Sequence, residues 1–145
     1  MVIIEKSIKS DLEKIKKLLF ENDLPIDDIE ESVVQLFVVK IDNDIIGIIG
    51  LEQYEKIGLL RSLAVQDRYN NLKIGINLVE YLLKYCKNIA ICELYLLTTT
   101  SEKYFEKFDF YKLDRKNTPT IIRKTKEFSD ICPMTAVIMK KKLIK

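Results

Sequence analysis

The segment Asn70-Asn71-Leu72-Lys73-Ile74-Gly75 lies between an apolar stretch ending Leu63-Ala64-Val65 and an amphipathic run that starts near Gly75. A strand that gives way through a short polar loop to a helix presents backbone N–H groups, backed by the positive end of the helix dipole, to an anion. The pattern points to a phosphate-bearing ligand held on backbone N–H groups around Gly75. Glycine lets a backbone approach phosphate with no Cβ in the way. Here Gly75 stands alone in the loop, and Lys73 brings an ammonium able to make a charge-assisted contact. Asn70 and Asn71 tolerate left-handed backbone better than most residues. The loop alone leaves an ordinary strand–loop–helix junction open as the alternative.

Other residues carry chemistry singly. Arg61 interrupts the apolar run Leu59-Leu60-Arg61-Ser62-Leu63. Its guanidinium either clamps a carboxylate or phosphonate on an acceptor or closes an internal salt bridge. Arg123 is the other side of such a clamp or a solvated residue. Glu52 and Glu55 serve as a base or water relay, or lie in a solvated turn. Tyr104 offers a phenol within an aromatic run, as a proton donor or as packing. Cys86, Cys92 and Cys132 are odd in number and lack metal-ligand spacing, so no metal site is expected. The first two read as buried, inert thiols, and Cys132, before Pro133, as a substrate contact. The chain contains no histidine, which removes His-based triads, His metal sites and His general acids together.

The bulk composition, 48% apolar and 32% charged, is that of a soluble globular protein. A chain of 145 residues suits one domain, residues 1–145. Its 24 basic and 22 acidic residues leave a net charge of +2, no footprint for nucleic acid. No apolar run is long enough to span a bilayer, and the N-terminus lacks a signal-peptide pattern. A cytoplasmic location with reduced thiols is the expectation.

These residues need elements to hold them. Residues 1–5 read as a strand, and Ser10-x-x-Glu13 as a capping box for a helix with Leu12, Ile15 and Leu19 on one face. A short helix is expected around 26–32, strands over 33–41 and 45–53 joined by the turn Asp42-Asn43-Asp44, and a further strand over 56–65. The helix from Gly75 to Asn88 turns Ile76, Val79, Leu83 and Cys86 to one face. A strand follows over Glu93–Thr98, and Thr99-x-x-Glu102 caps a helix carrying Tyr104, Phe105 and Phe108. Strands over 110–113 and 135–140 close the chain. Between them, a long connection has Thr118 as N-cap, Pro119 at the first helical position and Ile121 and Ile122 as anchors, and reads as a lid. This order predicts a mixed α/β sheet with helices on both faces.

The order and the central segment resemble the GNAT N-acetyltransferase family. The residues carrying the resemblance are Leu63-Ala64-Val65, the loop ending at Gly75, and the aromatic helix Tyr104-Phe105-Glu106-Lys107-Phe108-Asp109-Phe110. Lys73 and Asp109 stand where the family usually has glycine, and Phe105 where many members have a tyrosine acid. Within the family, LLRSLAV (59–65), LYLLTTT (94–100) and the tail with Pro119, Thr125-x-Glu127-Phe128, Cys132-Pro133 and Met139 are similar to the arsenic-resistance N-acetyltransferase subgroup. The resemblance implies a mostly antiparallel central sheet splayed between its fourth and fifth strands. It implies acetyl-CoA as co-substrate, its pantetheine arm against Leu63, Ala64 and Val65 and beside Thr98 and Phe105, its pyrophosphate on Asn70, Asn71 and Lys73–Asn77. It also implies a small amine as acceptor, Glu52, Arg61 and Tyr104 as catalytic candidates, and Arg61, Arg123 and Cys132 as acceptor contacts; a homodimer stays open. The departures Lys73, Phe105 and Asp109 motivate a second reading, a sensor or binding protein on the same fold without turnover.

Overall fold

The computed structural model describes residues 3–30, 33–125, 128 and 136–143, Asn71 through its backbone. Its elements are β1 (Ile4–Lys6), α1 (Leu12–Glu21), β2 (Val34–Ile41), β3 (Asp44–Tyr54), β4 (Ile57–Val65), α2 (Ile74–Asn88), β5 (Glu93–Thr98), α3 (Glu102–Glu106), β6 (Tyr111–Leu113), α4 (Thr120–Arg123) and β7 (Val137–Lys142). Hydrogen-bonded neighbours follow the order β1-β2-β3-β4-β5-β7-β6. The pairs β1–β2, β2–β3, β5–β7 and β6–β7 are antiparallel, and β4–β5 is parallel. This is the expected mixed, mostly antiparallel α/β fold. Among the described residues no helix is long and apolar enough to cross a membrane.

The chain divides into two compact units, one holding residues up to Glu52 with Leu60–Tyr85, the other Gln53–Leu59 with the residues from Cys86 onward. In the first unit, the two-residue period of β2 sends side chains to opposite faces. Leu36 and Val38 join Ile15, Leu18 and Leu19 of α1 and Ile45 and Ile48 of β3 in one cluster. Phe37, fully buried, meets the rings of Tyr81 and Tyr85 of α2 edge-on, with centroids 5.2 and 4.9 Å away. Each helix therefore covers one face of the same strand. Gly47 of β3 makes the second contact possible, since a Cβ there would stand 2.9 Å from Ile74 and 3.1 Å from Leu78.

In the second unit, β5 pairs along its length with β7, from Glu93↔Lys142 to Thr98↔Val137. Leu59, Tyr95, Ile122, Phe128 and Ile138 form its core. The Tyr95 hydroxyl donates to Glu93 at 2.9 Å, and Lys140 pairs with the other Glu93 oxygen at 3.1 Å. Burial, then the hydrogen bond to Glu93, pushes the Tyr95 phenol up to about 12, so it stays a neutral core group. Burial likewise pushes the Cys86 thiol up to about 12, which makes it inert.

The chain has only four glycines, and among the described residues none of them has positive φ. Left-handed positions are taken instead by Asp23, Asp42, Asn43, Glu55, Ser62, Lys73, Ala90 and Asp109. Asp42 and Asn43, at φ 50° and 67°, form the two-residue hairpin turn whose twist suits antiparallel strands. Asp109 closes α3 in the arrangement glycine usually serves: its N–H bonds Glu106 O at 3.0 Å and the Phe110 N–H bonds Phe105 O at 3.3 Å.

Local chemistry departs from expectation at four places. Ser10 does not open a helix; residues 9–11 form a 3-10 turn, the Ile8 N–H donates to Asp11 at 2.8 Å, and α1 starts at Leu12. Asp11, held also by Lys40 at 2.9 Å, outcompetes the serine. The residues 27–30 form a turn rather than a helix, and 31–32 lie outside the described residues. Before α3, the Thr98 hydroxyl accepts the Ser101 N–H at 2.9 Å, and Ser101, not Thr99, is the N-cap. Before α4, the Thr118 hydroxyl donates back to Asp114 O at 3.1 Å, and Pro119 takes the N-cap position. Ile122 anchors α4 in the core, while Ile121 is 41% exposed.

Candidate active site

The loop after β4 is a 3-10 turn over Asp67–Leu72 that ends at Lys73, φ 58° and ψ 26°. This is the left-handed conformation a glycine would supply. It reverses the chain so that α2 can begin at Ile74. The Asn77 N–H is spent on the Lys73 carbonyl at 3.1 Å, which starts the helical ladder. Of the N–H groups expected to face an anion, that of Asn77 is thus engaged within the helix, while those of Ile74, Gly75 and Ile76 have no carbonyl to bond within it. Gly75 itself has no positive φ, so the conformational role expected of glycine falls to Lys73. Lys73 and Asn70 are exposed, and Ile74 is buried under Gly47.

The cost of this geometry is measurable. A non-glycine residue in the left-handed region is strained by about 1–2 kcal/mol, and replacement by glycine returns part of that against a more flexible unfolded chain. Lys73→Gly is expected to raise stability by about 0.5–1 kcal/mol. Asp109→Gly should gain less, because aspartate tolerates this conformation better. Chemical denaturation of the two variants beside the parent checks the order; a loss of stability at Lys73→Gly contradicts it.

Arg61 is buried, its side chain 0% exposed, and it is the centre of an ion cluster. One terminal nitrogen donates to Asp28 Oδ2 and to Glu52 Oε2, both at 2.7 Å; the other donates to Asp28 Oδ1 at 2.6 Å. Nε donates to the Ser62 hydroxyl at 3.2 Å. The two-pronged Asp28 contact is the strong, directional form of an arginine–carboxylate pair. Of the two roles open for Arg61 in the sequence, the structure displays the internal salt bridge. Glu52, on β3, is 2% exposed and joined to Arg61, away from the solvated turn at Glu55. Gly50 leaves room for the cluster, since a Cβ there would stand 3.2 Å from Arg61 O and 3.3 Å from its Cγ.

Two members of this site were not foreseen. Asp28 comes from the loop after α1; its only sequence signal is that a buried arginine needs a carboxylate. Ser62 has φ 59° in the middle of β4. A left-handed residue inside a strand breaks the alternation of faces, and residues 58–62 are all buried in succession. The signal was the polar pair Arg61-Ser62 in an apolar run. Beyond it Leu63 and Val65 are half-buried and Ala64 is buried.

The remaining candidates belong to the second unit. Thr98 ends β5 half-buried. Phe105 is buried and contacts Tyr104 and Phe110, with centroids 5.3 and 5.8 Å away. Tyr104 also packs on Phe108 at 5.5 Å, and burial holds its phenol above the ordinary tyrosine range. Arg123 is exposed at the end of α4. Cys132 lies outside the described residues. Among those residues no group of three or more acidic, cysteine or histidine side chains could hold a metal ion.

Comparison with known proteins gives the family and the fold. The sequence model of the acetyltransferase (GNAT) family matches residues 6–112. An N-acetylglutamate synthase from Neisseria gonorrhoeae, solved with coenzyme A and N-acetyl-glutamate, has TM-score 0.83 and 19% identity over 100% of this chain, which spans 36% of that synthase. Rv2747 from Mycobacterium tuberculosis, solved in a complex with CoA, has TM-score 0.80 and 17% identity over 98% of this chain and 99% of that one. A GNAT-family acetyltransferase from Staphylococcus aureus Mu50 has TM-score 0.76 and 20% identity over 99% of each chain. No curated protein matches the sequence at a significant level.

Proposed function

The chain belongs to the acetyltransferase (GNAT) family, and on that footing we propose that it moves the acetyl group of acetyl-CoA to the amine of a small molecule. The observation that carries this reading is the left-handed turn at Lys73, which ends the loop after β4 and starts the 15-residue helix α2. The N–H groups of Ile74, Gly75 and Ile76 would take the pyrophosphate, with the Lys73 ammonium and the neighbouring Asn70 and Asn71 beside it. Asn77 would help only through its side chain.

The kink at Ser62 supports the same reading. β4 pairs with β5 through Ile57–Leu59 and then continues as Leu60–Val65. A left-handed residue rotates the backbone groups that follow it out of a regular ladder. In this reading Leu63, Ala64 and Val65 offer theirs to the pantetheine arm; Thr98 and Phe105 are contacts that the family resemblance alone implies. The acceptor amine attacks the thioester carbon, the C–S bond breaks, the amine loses its proton to water, and the thiolate takes one. Tyr104, still protonated at neutral pH, is the proposed donor for that thiolate. Glu52 and Arg61 contribute through the shape of β4, and Arg123 and Cys132 are the proposed acceptor contacts. The stretches LLRSLAV and LYLLTTT favour an amino acid analogue as acceptor and a resistance role; the comparisons carry the family and leave the subgroup to those stretches.

The sensor reading loses two of its three motives. Lys73 and Asp109 replace glycine in the sequence and keep the glycine conformation, at φ 58° and 69°. Titration calorimetry with acetyl-CoA tests the proposal; binding in the micromolar range, about −8 kcal/mol, is expected. No binding at high micromolar concentration sinks it. Thiol release followed with DTNB, across pooled amino acids and arsenical amino acid analogues, then separates turnover from binding alone.

A further inference from the structure

We infer that Asp28 and Glu52 act through Arg61 to hold Ser62 in its left-handed conformation, making them positioning residues for the β4 backbone at 63–65; this rests on the acetyl-CoA reading of that strand. A non-glycine residue at φ 59° in the middle of a strand persists only where its surroundings over-determine it. Ser62 is 5% exposed, and its hydroxyl is bonded by the Nε–H of the residue before it, at 3.2 Å. In a regular strand two adjacent side chains point to opposite faces. The left-handed turn brings both to one side, so bond and backbone conformation support each other.

That bond is useful only if the guanidinium cannot turn away. Asp28 grips both terminal nitrogens, at 2.7 and 2.6 Å, and fixes the plane of the fork. Glu52 adds a third contact at 2.7 Å. The loop after α1, strand β3 and strand β4 thus converge on one group, and Gly50 keeps a Cβ out of its path. A lysine could keep the charge but would have neither the fork nor the Nε–H.

Asp28→Asn removes one charge and one prong while keeping the size of the side chain. It is expected to weaken acetyl-CoA binding by about tenfold, within the range of coupled neighbours. In a Ser62→Gly background the left-handed conformation needs no holding, so the same change should cost less than about threefold. Equal losses in both backgrounds, or no loss in the parent, overturn the inference. The backbone carbon shifts of Ser62, read by NMR in the free protein, give a second and independent measure. They should move toward extended values in Asp28→Asn; unchanged shifts overturn the inference. Should Asp28→Asn not fold, Glu52→Gln is run through the same cycle. If the parent binds no acetyl-CoA, the functional reading fails, and the Ser62 shifts still decide whether the network holds the kink.

Discussion

Arg61→Met is expected to lower stability by about 3–5 kcal/mol and to abolish acetyl transfer. The loss comes from what stays behind. Asp28 and Glu52, 4% and 2% exposed, would lose the guanidinium that helps to offset their desolvation. A domain of ordinary stability holds about 5–15 kcal/mol in all, so the variant should unfold at a markedly lower denaturant midpoint. The triple change Asp28→Leu, Glu52→Leu, Arg61→Met separates charge from function. Replacing buried ion-paired groups together by apolar ones is often neutral, so part of the lost stability should return. Activity should not, because the hydrogen bond from Arg61 to Ser62 is then gone. Denaturation curves and DTNB turnover on both variants measure the two effects. A single variant as stable as the parent would show that Arg61 does not offset the burial of the two carboxylates.

The second large effect is expected at Gly75→Asp: acetyl-CoA affinity falls by about thirtyfold or more, while the free protein keeps or slightly gains stability. One charge acts in opposite directions in the two states. In the free protein an aspartate in the first turn of α2 faces the positive end of the helix dipole, worth about 0.3–1 kcal/mol, and aspartate is no worse a helix former than glycine. Gly75 has no positive φ that a side chain would strain. With acetyl-CoA bound, the same carboxylate would stand against the pyrophosphate, and two like charges about 5 Å apart near a protein surface repel by about 3 kcal/mol. Raising the salt should shrink the defect. Calorimetry at two ionic strengths with a thermal melt of the free protein measures all three. Unchanged affinity would remove the pyrophosphate from the α2 N-terminus.

Strands with strong period-two patterns were legible to within a residue or two. β5 runs over the expected Glu93–Thr98, and β2, β3 and β4 differ from expectation at their ends by single residues. The burial that makes them strands is written in Val, Ile and Leu. Helix starts were less legible because capping is a competition among neighbours. Asp11 prevailed over Ser10 through its added pairing with Lys40, 29 residues away in the chain. Asp28 was unreadable for a similar reason: its partner Arg61 lies 33 residues further on.

The sequence by itself determined the order of the strands, the fold class, the family resemblance and the place of the loop that precedes α2. These rest on local signals, namely periodicity, turn residues and short motifs, whose physics lies within a dozen residues. It left open whether Lys73 and Asp109 could do the work of glycine, and whether Arg61 faces a ligand or a carboxylate. Only the tertiary structure decided these. Lys73 and Asp109 are left-handed because the chain must turn there to pack α2 and α3, and side-chain identity only adjusts the cost. Arg61 is ion-paired because folding brings Asp28 and Glu52 within 2.7 Å of it, from segments that no local pattern connects.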